Sequence, residues 1–418
     1  MAIGYACLVL GVSGTQMKSC LLKEACEEKL MDITHRNLVA LDRIIDYNIH
    51  NNIRLFRISS DLVPFGSSPI NHTEWWKHFD GLLKAIGRKI KDSGMRVSMH
   101  PGQYTVLNAE KPDVVARAVA DLAYHARVLD SLCLDATHKI VLHIGGAYQD
   151  KEAAMDRFAE NWRRLDENIK RRLIIENDDK LFNIRDVYDL GTRLNIPVVF
   201  DNLHHEVNPC DGERDEFVWI ERCRSTWREQ DGRQKIHYSQ QAKQKKKGYH
   251  SDTIEIDRFM AFYKALNRDD IDIMLEVKDK NLSCVKCINC TAGDLNFDVL
   301  EMEWDRYKFS ILERAPVLYD EIDRMIGERA GLTPPDFYKL IQRGLESKGD
   351  IESHTEAVLM VWDCINREAT EKEWQAFHKR LERFRQQQTG LGAVKGFLRK
   401  LAEKYALEHL LNSYYFFL

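Results

Sequence analysis

Imidazole and carboxylate side chains stand at the ends of six consecutive short apolar runs in the sequence. They are His100, His143, Glu176, Asp201, His204, His237, His250 and Glu276. One histidine in such a place is more often a satisfied polar residue than a ligand, but six successive runs ending in ligand types are hard to obtain by chance. Clustered carboxylates repel one another unless cations lie between them. The set therefore predicts a site for divalent metal ions.

The number and type of these residues limit the chemistry. Eight ligands exceed the three protein ligands of a catalytic zinc, so two or three ions fit better, with Glu176 and Asp201 as bridges. Imidazole and carboxylate without thiolate suit Mn²⁺, Zn²⁺ or Fe²⁺. Such ions can activate water and neutralise charge during phosphodiester hydrolysis. On these residues alone, a multinuclear metal hydrolase and a sugar isomerase of the same barrel type both stay open.

The elements that must position these residues read as alternating strands and helices. The run Ile196–Asp201 is apolar through Pro, Val, Val and Phe, as in an inner strand of a parallel sheet. Eight such runs are Ile3–Leu10, Ile53–Ser60, Arg96–His100, Lys139–Ile144, Arg172–Glu176, Ile196–Asp201, Lys235–Ser239 and Ile271–Val277. Segments with helical spacing lie between them. This order predicts an α/β fold, a (β/α)8 TIM barrel with its chemistry at the carboxyl ends of the strands.

The alternative fold is a doubly wound open sheet. It would need a Gly-rich turn after the first strand, and Gly11-Val-Ser-Gly14 matches a dinucleotide fingerprint only weakly. After about Leu300 the apolar runs are amphipathic, and none ends in a ligand type. We therefore expect a barrel domain over residues 1–300 and a C-terminal helical extension over residues 301–418.

The composition of the chain limits the cellular compartment and the kinds of binding partner that we expect. The 418 residues carry a net charge of −4, so attraction of nucleic acid would require a local basic surface. No apolar run approaches the roughly 20 residues of a membrane span, and the start lacks the basic segment of a secretory signal. The ten cysteines are mostly scattered, which favours a reducing compartment. We expect a cytoplasmic protein, and we expect Cys284, Cys287 and Cys290, which lack a matching fourth thiolate, to be structural.

Seven sequence blocks resemble the UV damage endonuclease family. They are Ser98–Asn108, Val141–Gly146, Ile175–Lys180, Val199–His205, Lys235–Ser239, Gly248–Asp252 and Leu275–Asn281, within a resemblance that runs from about Ile3 to about Leu312. The resemblance implies a barrel akin to the endonuclease IV type. It also implies that the substrate is damaged double-stranded DNA, which the protein would meet at the nucleoid. The DNA would be nicked 5′ to pyrimidine dimers and 6-4 photoproducts, leaving 3′-hydroxyl and 5′-phosphate ends.

The same resemblance implies the cofactor and the catalytic residues. The family's ligands to three divalent ions, with Mn²⁺ favoured over Zn²⁺ or Mg²⁺, fall on all eight residues given above. Lys235 matches a lysine that the family carboxylates near the metals, and it shares a strand face with His237. Glu176 and Lys235 are therefore the predicted catalytic residues.

The resemblance also implies residues that contact DNA. Gln103 and Tyr104 resemble a pair that the family inserts into the double helix at the lesion, where a planar ring can replace lost stacking. Tyr5 could line the lesion pocket or plug the top of the barrel. The basic run Lys243, Lys245, Lys246 and Lys247 supplies the local positive surface that phosphate binding needs.

At two positions the sequence departs from the family pattern. Val9 stands where the family often has Asn, and Ser68 stands where some members have His, so polar contacts from these positions are not carried over.

Two rival functions stay open. One is a sugar isomerase of the xylose isomerase type, and the other is a non-catalytic sensor of DNA damage in which the metals are structural.

Overall fold

Eight parallel strands close into a barrel, in which each strand pairs with its neighbours in sequence and the last pairs with the first. The computed structural model describes residues 1–293, 297–329 and 331–418. The strands are β1 Ile3–Ala6, β2 Leu55–Ile58, β3 Arg96–Met99, β4 Lys139–His143, β5 Leu173–Glu176, β6 Val198–Asp201, β7 Gln234–Tyr238 and β8 Ile271–Leu275. Each predicted run coincides with one strand, although β7 begins one residue earlier than predicted, at Gln234. The TIM barrel is therefore confirmed and the open sheet was wrong.

Helices follow the strands along the chain. They are α1 Glu27–His50, α2 Trp75–His78, α3 Asp80–Asp92, α4 Pro112–Ser131, α5 Lys151–Arg163, α6 Glu167–Lys170, α7 Ile184–Leu194, α8 Asn202–Val207, α9 Glu216–Arg224, α10 Ile256–Leu266 and α11 Asn281–Thr291. Local sequence sets their ends. For example, α7 starts with a capping box between Asn183 and Asp186 and stops at Asn195, whose φ of 56° is left-handed.

The register of the barrel brings the polar strand ends to one level. His143 pairs with Glu176 across β4 and β5, and Asp201 pairs with His237 across β6 and β7. Adjacent strands lie about 4.8 Å apart, so the side chains of paired residues are close neighbours. The candidate ligands therefore enter the same rim of the barrel from different strands.

The described residues form two compact units, and the smaller one is helical. The larger unit comprises Met1–Val9, Gly14–Glu255 and Ala261–Ile288, and the smaller comprises Leu10–Ser13, Ile256–Met260 and Asn289–Leu418. The further helices are α12 Phe297–Arg314, α13 Pro316–Glu328, α14 Pro334–Glu346, α15 Ile351–Ile365, α16 Glu371–Arg385, α17 Leu391–Lys404 and α18 Glu408–Leu411. The C-terminal helical extension is thus confirmed, while the boundary between residues 300 and 301 stays a prediction.

The smaller unit has its own apolar core. Side chains from α12, α15, α16 and α17 pack together, and the rings of Trp362 and Phe377 stack with their centroids 4.0 Å apart. Such packing holds α16 and α17 firmly in place. Within residues 1–293, 297–329 and 331–418, no helix has both the length and the apolar character of a membrane span.

Candidate active site

Glu176, the last residue of β5, lies at the centre of the imidazole cluster and is only 1% exposed. Its Oε1 accepts a hydrogen bond from Nδ1 of His237 at 2.6 Å, and its Oε2 lies 3.1 Å from Nε2 of His100 and 3.7 Å from Nε2 of His143. Burial would raise the pKa of Glu176, but the imidazoles, His237 foremost, hold it well below its ordinary value. Glu176 is therefore ionised.

His100 is oriented so that its other nitrogen faces Glu176. Its Nδ1 donates to the carbonyl of Pro101 at 3.0 Å. In the neutral ring, Nε2 then presents a lone pair to the Glu176 carboxylate at 3.1 Å. Two acceptors at this distance repel each other unless a proton or a metal ion lies between them, so this geometry fits a metal ligand pair.

Asp201 offers a buried carboxylate oxygen that the protein does not satisfy. It ends β6 and caps α8, where its Oδ1 accepts the backbone N–H of His204 at 2.7 Å. Its Oδ2 is buried and has no hydrogen-bond partner in the described part of the chain. Burial raises the pKa of Asp201 to about 7. An orphaned buried oxygen beside imidazoles is what a bound cation would satisfy.

His204, on α8, is held in place by a hydrogen bond to the backbone that follows β5. Its Nδ1 donates to the carbonyl of Asn177 at 2.9 Å, which leaves Nε2 available to a metal. Burial lowers the pKa of His204, but the carboxylates of Asp201 and Glu176 outweigh burial and raise it to about 9. Asn177 also exchanges hydrogen bonds with the backbone of Asp201 at 3.0 and 2.9 Å. Asn177 is a residue whose role was not predicted from the sequence, although it follows Glu176 directly.

Arg57 is a second residue that sequence reasoning missed. From β2, its Nη2 donates to Nε2 of His237 at 3.1 Å and forms an ion pair with Oε1 of Glu276. Burial would raise the pKa of Glu276, but the charge of Arg57 lowers it far below its ordinary value. The available signal was an arginine inside Leu55-Phe-Arg-Ile58, a strand whose four residues are all buried.

The ligand atoms form three overlapping groups. Within each group the atoms lie within 4.8 Å of one another, and Glu176 belongs to all three: His100, His143 and Glu176; Glu176, Asp201 and His204; Glu176, His237 and Glu276. His250 lies at the edge, with its Nδ1 3.8 Å from Oε2 of Glu276. All eight residues are thus brought together, and their donor types fit divalent ions.

Lys235 is buried on β7, two residues before His237. It is 1% exposed, and no carboxylate of the described residues lies within 4.0 Å of its Nζ. Burial, and then the charges of Arg96 and Arg57, lower its pKa well below the ordinary value. Its amine is therefore easily uncharged, which is the state that reacts with carbon dioxide.

Gln103 and Tyr104 are exposed at the tip of the loop between β3 and α4. The ring of Tyr104 is 83% exposed, although it is large and apolar. The base of the loop is fixed: the Thr105 hydroxyl donates to Asp121 at 2.6 Å, and Asn108 donates to the carbonyl of Gly146 at 2.8 Å. The loop therefore presents a free aromatic ring from an anchored base.

The basic run lies in a closed loop after β7. The loop is closed by a bridge between Gln241 and His250 and by the Gln241 side chain, which accepts the N–H of Gly248 at 2.8 Å. All four lysines are exposed. Lys243 pairs with Glu255 at 2.5 Å, whereas Lys245, Lys246 and Lys247 have no carboxylate partner among the described residues.

Tyr5 and the three neighbouring cysteines are buried. Tyr5 is 0% exposed, and its hydroxyl donates to Asn48 at 2.7 Å. This favours a plug of the barrel over a lining of the lesion pocket. Cys284, Cys287 and Cys290 lie buried on α11, form no disulfide, and belong to no metal-holding group found among the described residues.

Comparison with known proteins covers the whole chain. Residues 9–302 match the family model UV-endonuclease UvdE, and residues 308–418 match a protein of unknown function, DUF1722. A UV DNA damage endonuclease of Clostridium perfringens is 38% identical over 423 residues, 99% of each chain, and one of Bacillus cereus strain Q1 is 35% identical over 64% of this chain and 85% of its own. The solved structure of SacUVDE is 38% identical, with a TM-score of 0.65 over 69% of this chain and 96% of that one. The chain therefore belongs to the UV-endonuclease UvdE family of DNA repair endonucleases.

Proposed function

We propose that the protein is a metal-dependent endonuclease that nicks damaged double-stranded DNA immediately 5′ to UV photoproducts. Pyrimidine dimers and 6-4 photoproducts are its lesions, and the products carry 3′-hydroxyl and 5′-phosphate ends. The observation that carries this proposal is the convergence of seven imidazoles and carboxylates in three groups that share Glu176, with His250 beside Glu276, in a chain whose relatives are named UV DNA damage endonucleases.

The three overlapping groups would hold three divalent ions, with Mn²⁺ favoured. When bound, the ions supply Lewis acidity, which activates water and neutralises charge on the attacked phosphate. The protein's own part is to hold Glu176 ionised between the groups and to fix the rings of His100 and His204 through backbone carbonyls. Because these residues are already in place, little reorganisation is needed for phosphate binding.

Lys235 is proposed to be carboxylated. Its buried amine has no carboxylate partner in the described part of the chain, and a depressed pKa makes the amine nucleophilic toward carbon dioxide. The resulting carbamate would add a negative charge on the strand face that carries His237. Isotope-labelled bicarbonate should give a carbamate NMR signal that disappears in Lys235→Arg. If the two proteins give identical spectra, Lys235 is an ordinary buried lysine.

Metal binding should release protons in a pH-dependent way. Metal requires an ionised Asp201 and a neutral His204, whose pKa values in the metal-free cluster are about 7 and about 9. Below pH 7 both Asp201 and His204 must lose a proton when metal binds. Between pH 7 and 9 mainly His204 must lose one, and above pH 9 neither group carries a proton to lose. The affinity for Mn²⁺ should therefore rise with pH up to about 9. Titration calorimetry in two buffers of different ionisation enthalpy measures the released protons. Proton release that stays constant from pH 6 to 10 would contradict this assignment.

The lysine loop is proposed to contact DNA phosphates. Changing Lys245 and Lys246 to Glu should make the salt dependence of duplex binding shallower, by about 0.9 in logarithmic slope for each lost phosphate contact. Filter binding at several salt concentrations measures the slope. The control reverses Lys23 and Lys91, which are also exposed and also lack a carboxylate partner among the described residues. Equal slopes for the two variants would make the loop a solubilising surface.

One experiment tests the proposed function as a whole. An end-labelled duplex, irradiated or not, is incubated with the protein in Mn²⁺ or in chelator. We expect nicks only in the irradiated duplex and only when Mn²⁺ is present. Each nick should lie immediately 5′ to a photoproduct. Tight lesion binding without scission would instead indicate a damage sensor. Aldose turnover with indifference to irradiated DNA would indicate a sugar isomerase.

A further inference from the structure

The end of the helical unit carries a strong local positive charge. From Ala376 to Lys404 the sequence has eight lysines and arginines but only two carboxylates, Glu382 and Glu403, whereas the whole chain has a net charge of −4. This stretch comprises most of α16 and all of α17. The unit therefore separates its charges along the chain instead of mixing them.

Three of these cations share one face of α16. Lys379 and Arg383 are four residues apart, and Arg380 is three residues before Arg383, so their side chains project from the same side of the helix. All three are exposed. No carboxylate of the described residues lies within 4.0 Å of their charged atoms, in contrast to Lys404, whose Nζ is 2.7 Å from Oε1 of Glu373.

α17 contributes a fourth cation beside them. Arg380 lies over the ring of Phe397 at 4.3 Å, and Lys404 contacts Glu373, so the two helices run antiparallel in a fixed register. Lys400 is one turn beyond Phe397 and therefore lies level with the turn of α16 that precedes Arg380. It is exposed and likewise has no carboxylate partner among the described residues. Lys379, Arg380, Arg383 and Lys400 are called the basic face below.

The basic face stands on a packed support. Phe377, Leu381 and Phe384 on the opposite side of α16 are buried in the core of the unit. Like charges three or four residues apart on a helix repel one another and destabilise it. Among the described residues, no carboxylate lies within 4.0 Å of the charged atoms of these four cations, although Glu382 and Glu403 lie on the same helices, and this favours an anionic partner.

We propose that the basic face binds the phosphate backbone of duplex DNA, whether or not the duplex carries a photoproduct. The proposal rests on the proposed function, which makes DNA the polyanion that the protein meets. Lysine and arginine on a helix face can neutralise phosphates without reading bases, so the contact is independent of sequence. The region matched by the family model of unknown function thereby contributes DNA affinity, while the barrel carries the chemistry.

Charge reversal on the basic face tests the proposal. Lys379 and Arg383 are changed to Glu in the full-length protein, and the control reverses Arg343 and Lys348 of the same unit, which are also exposed and unpaired among the described residues. Binding to an undamaged duplex is measured from low to high salt, with thermal unfolding as the check on folding. The basic-face variant should show a slope shallower by about two and on the order of tenfold weaker binding at physiological salt. The control should resemble the parent.

The outcomes separate this proposal from the nuclease assignment. Equal salt slopes for the basic-face variant and its control would overturn the proposal that the basic face binds DNA. Unchanged duplex binding together with reduced binding to phosphatidylserine vesicles would overturn it as well. If Glu unfolds the unit, Lys379→Gln with Arg383→Gln gives the same test with half the charge change. Nicking of irradiated duplex by the parent is scored separately. Its absence refutes the proposed function, while the slopes on undamaged duplex still decide the role of the basic face.

Discussion

Replacing Glu176 by Gln should lower the rate of nicking of irradiated duplex by a factor on the order of 10³, the range seen when one preorganised electrostatic partner is removed. Glu176 is the residue that all three candidate metal groups share. The amide has the same size but no charge, and it can place an NH₂ group where His237 and His100 now face an oxygen. Metal affinity and catalysis should therefore fall together while the barrel stays folded.

Single-turnover nicking of an end-labelled duplex measures this loss. Elemental analysis of bound metal and binding of the irradiated duplex are recorded on the same samples, and lesion binding should largely persist. The control is Asp179→Asn, an isosteric change at a partly exposed carboxylate three residues further along, which pairs with Lys180 at 3.4 Å and belongs to none of the three groups. A Glu176→Gln protein that nicks within about threefold of the parent would remove Glu176 from the centre of the site.

The convergence of the candidate ligands could be predicted because the order of parallel strands in a closed barrel fixes where each strand ends. Once the runs ending at Glu176, Asp201 and His237 are recognised as successive parallel strands, their carboxyl ends must meet at one rim. The strand ends themselves were less predictable. The first run continues in apolar residues to Leu10, but the structure ends β1 at Ala6 because Cys7 adopts a left-handed φ of 70°.

Other features depend on geometry that no local pattern records. Arg57 enters the cluster, and Tyr5 is buried, because of the direction in which each side chain leaves its strand in the closed barrel. The basic face is likewise hidden in the sequence, since Arg380 and Lys400 become neighbours only through the antiparallel register of α16 and α17. Charge counts along the chain cannot show which cations have carboxylate partners.

Replacing Tyr104 by Ala should remove most of the preference for irradiated over undamaged duplex. Stacking of one base on an aromatic ring contributes about 1–3 kcal/mol, so discrimination should fall by about fivefold to 150-fold. The ring is 83% exposed and its loop is anchored by Thr105 and Asn108, so it is available for stacking without a change at its base. Competition binding between irradiated and undamaged duplexes, in chelator to prevent nicking, measures the preference.

Tyr104→Phe is the matched control, because it keeps the ring and removes only the hydroxyl. If the ring replaces lost stacking at the lesion, Phe should keep the discrimination that Ala loses, and Gln103→Ala should cause a smaller loss by leaving the opened space unfilled. Loss in both Tyr104 variants would assign recognition to the hydroxyl instead of the ring face. Retained discrimination in Tyr104→Ala would mean that lesions are recognised by the shape of the rim around Glu176, since the exposed ring would then have no role in opening the helix.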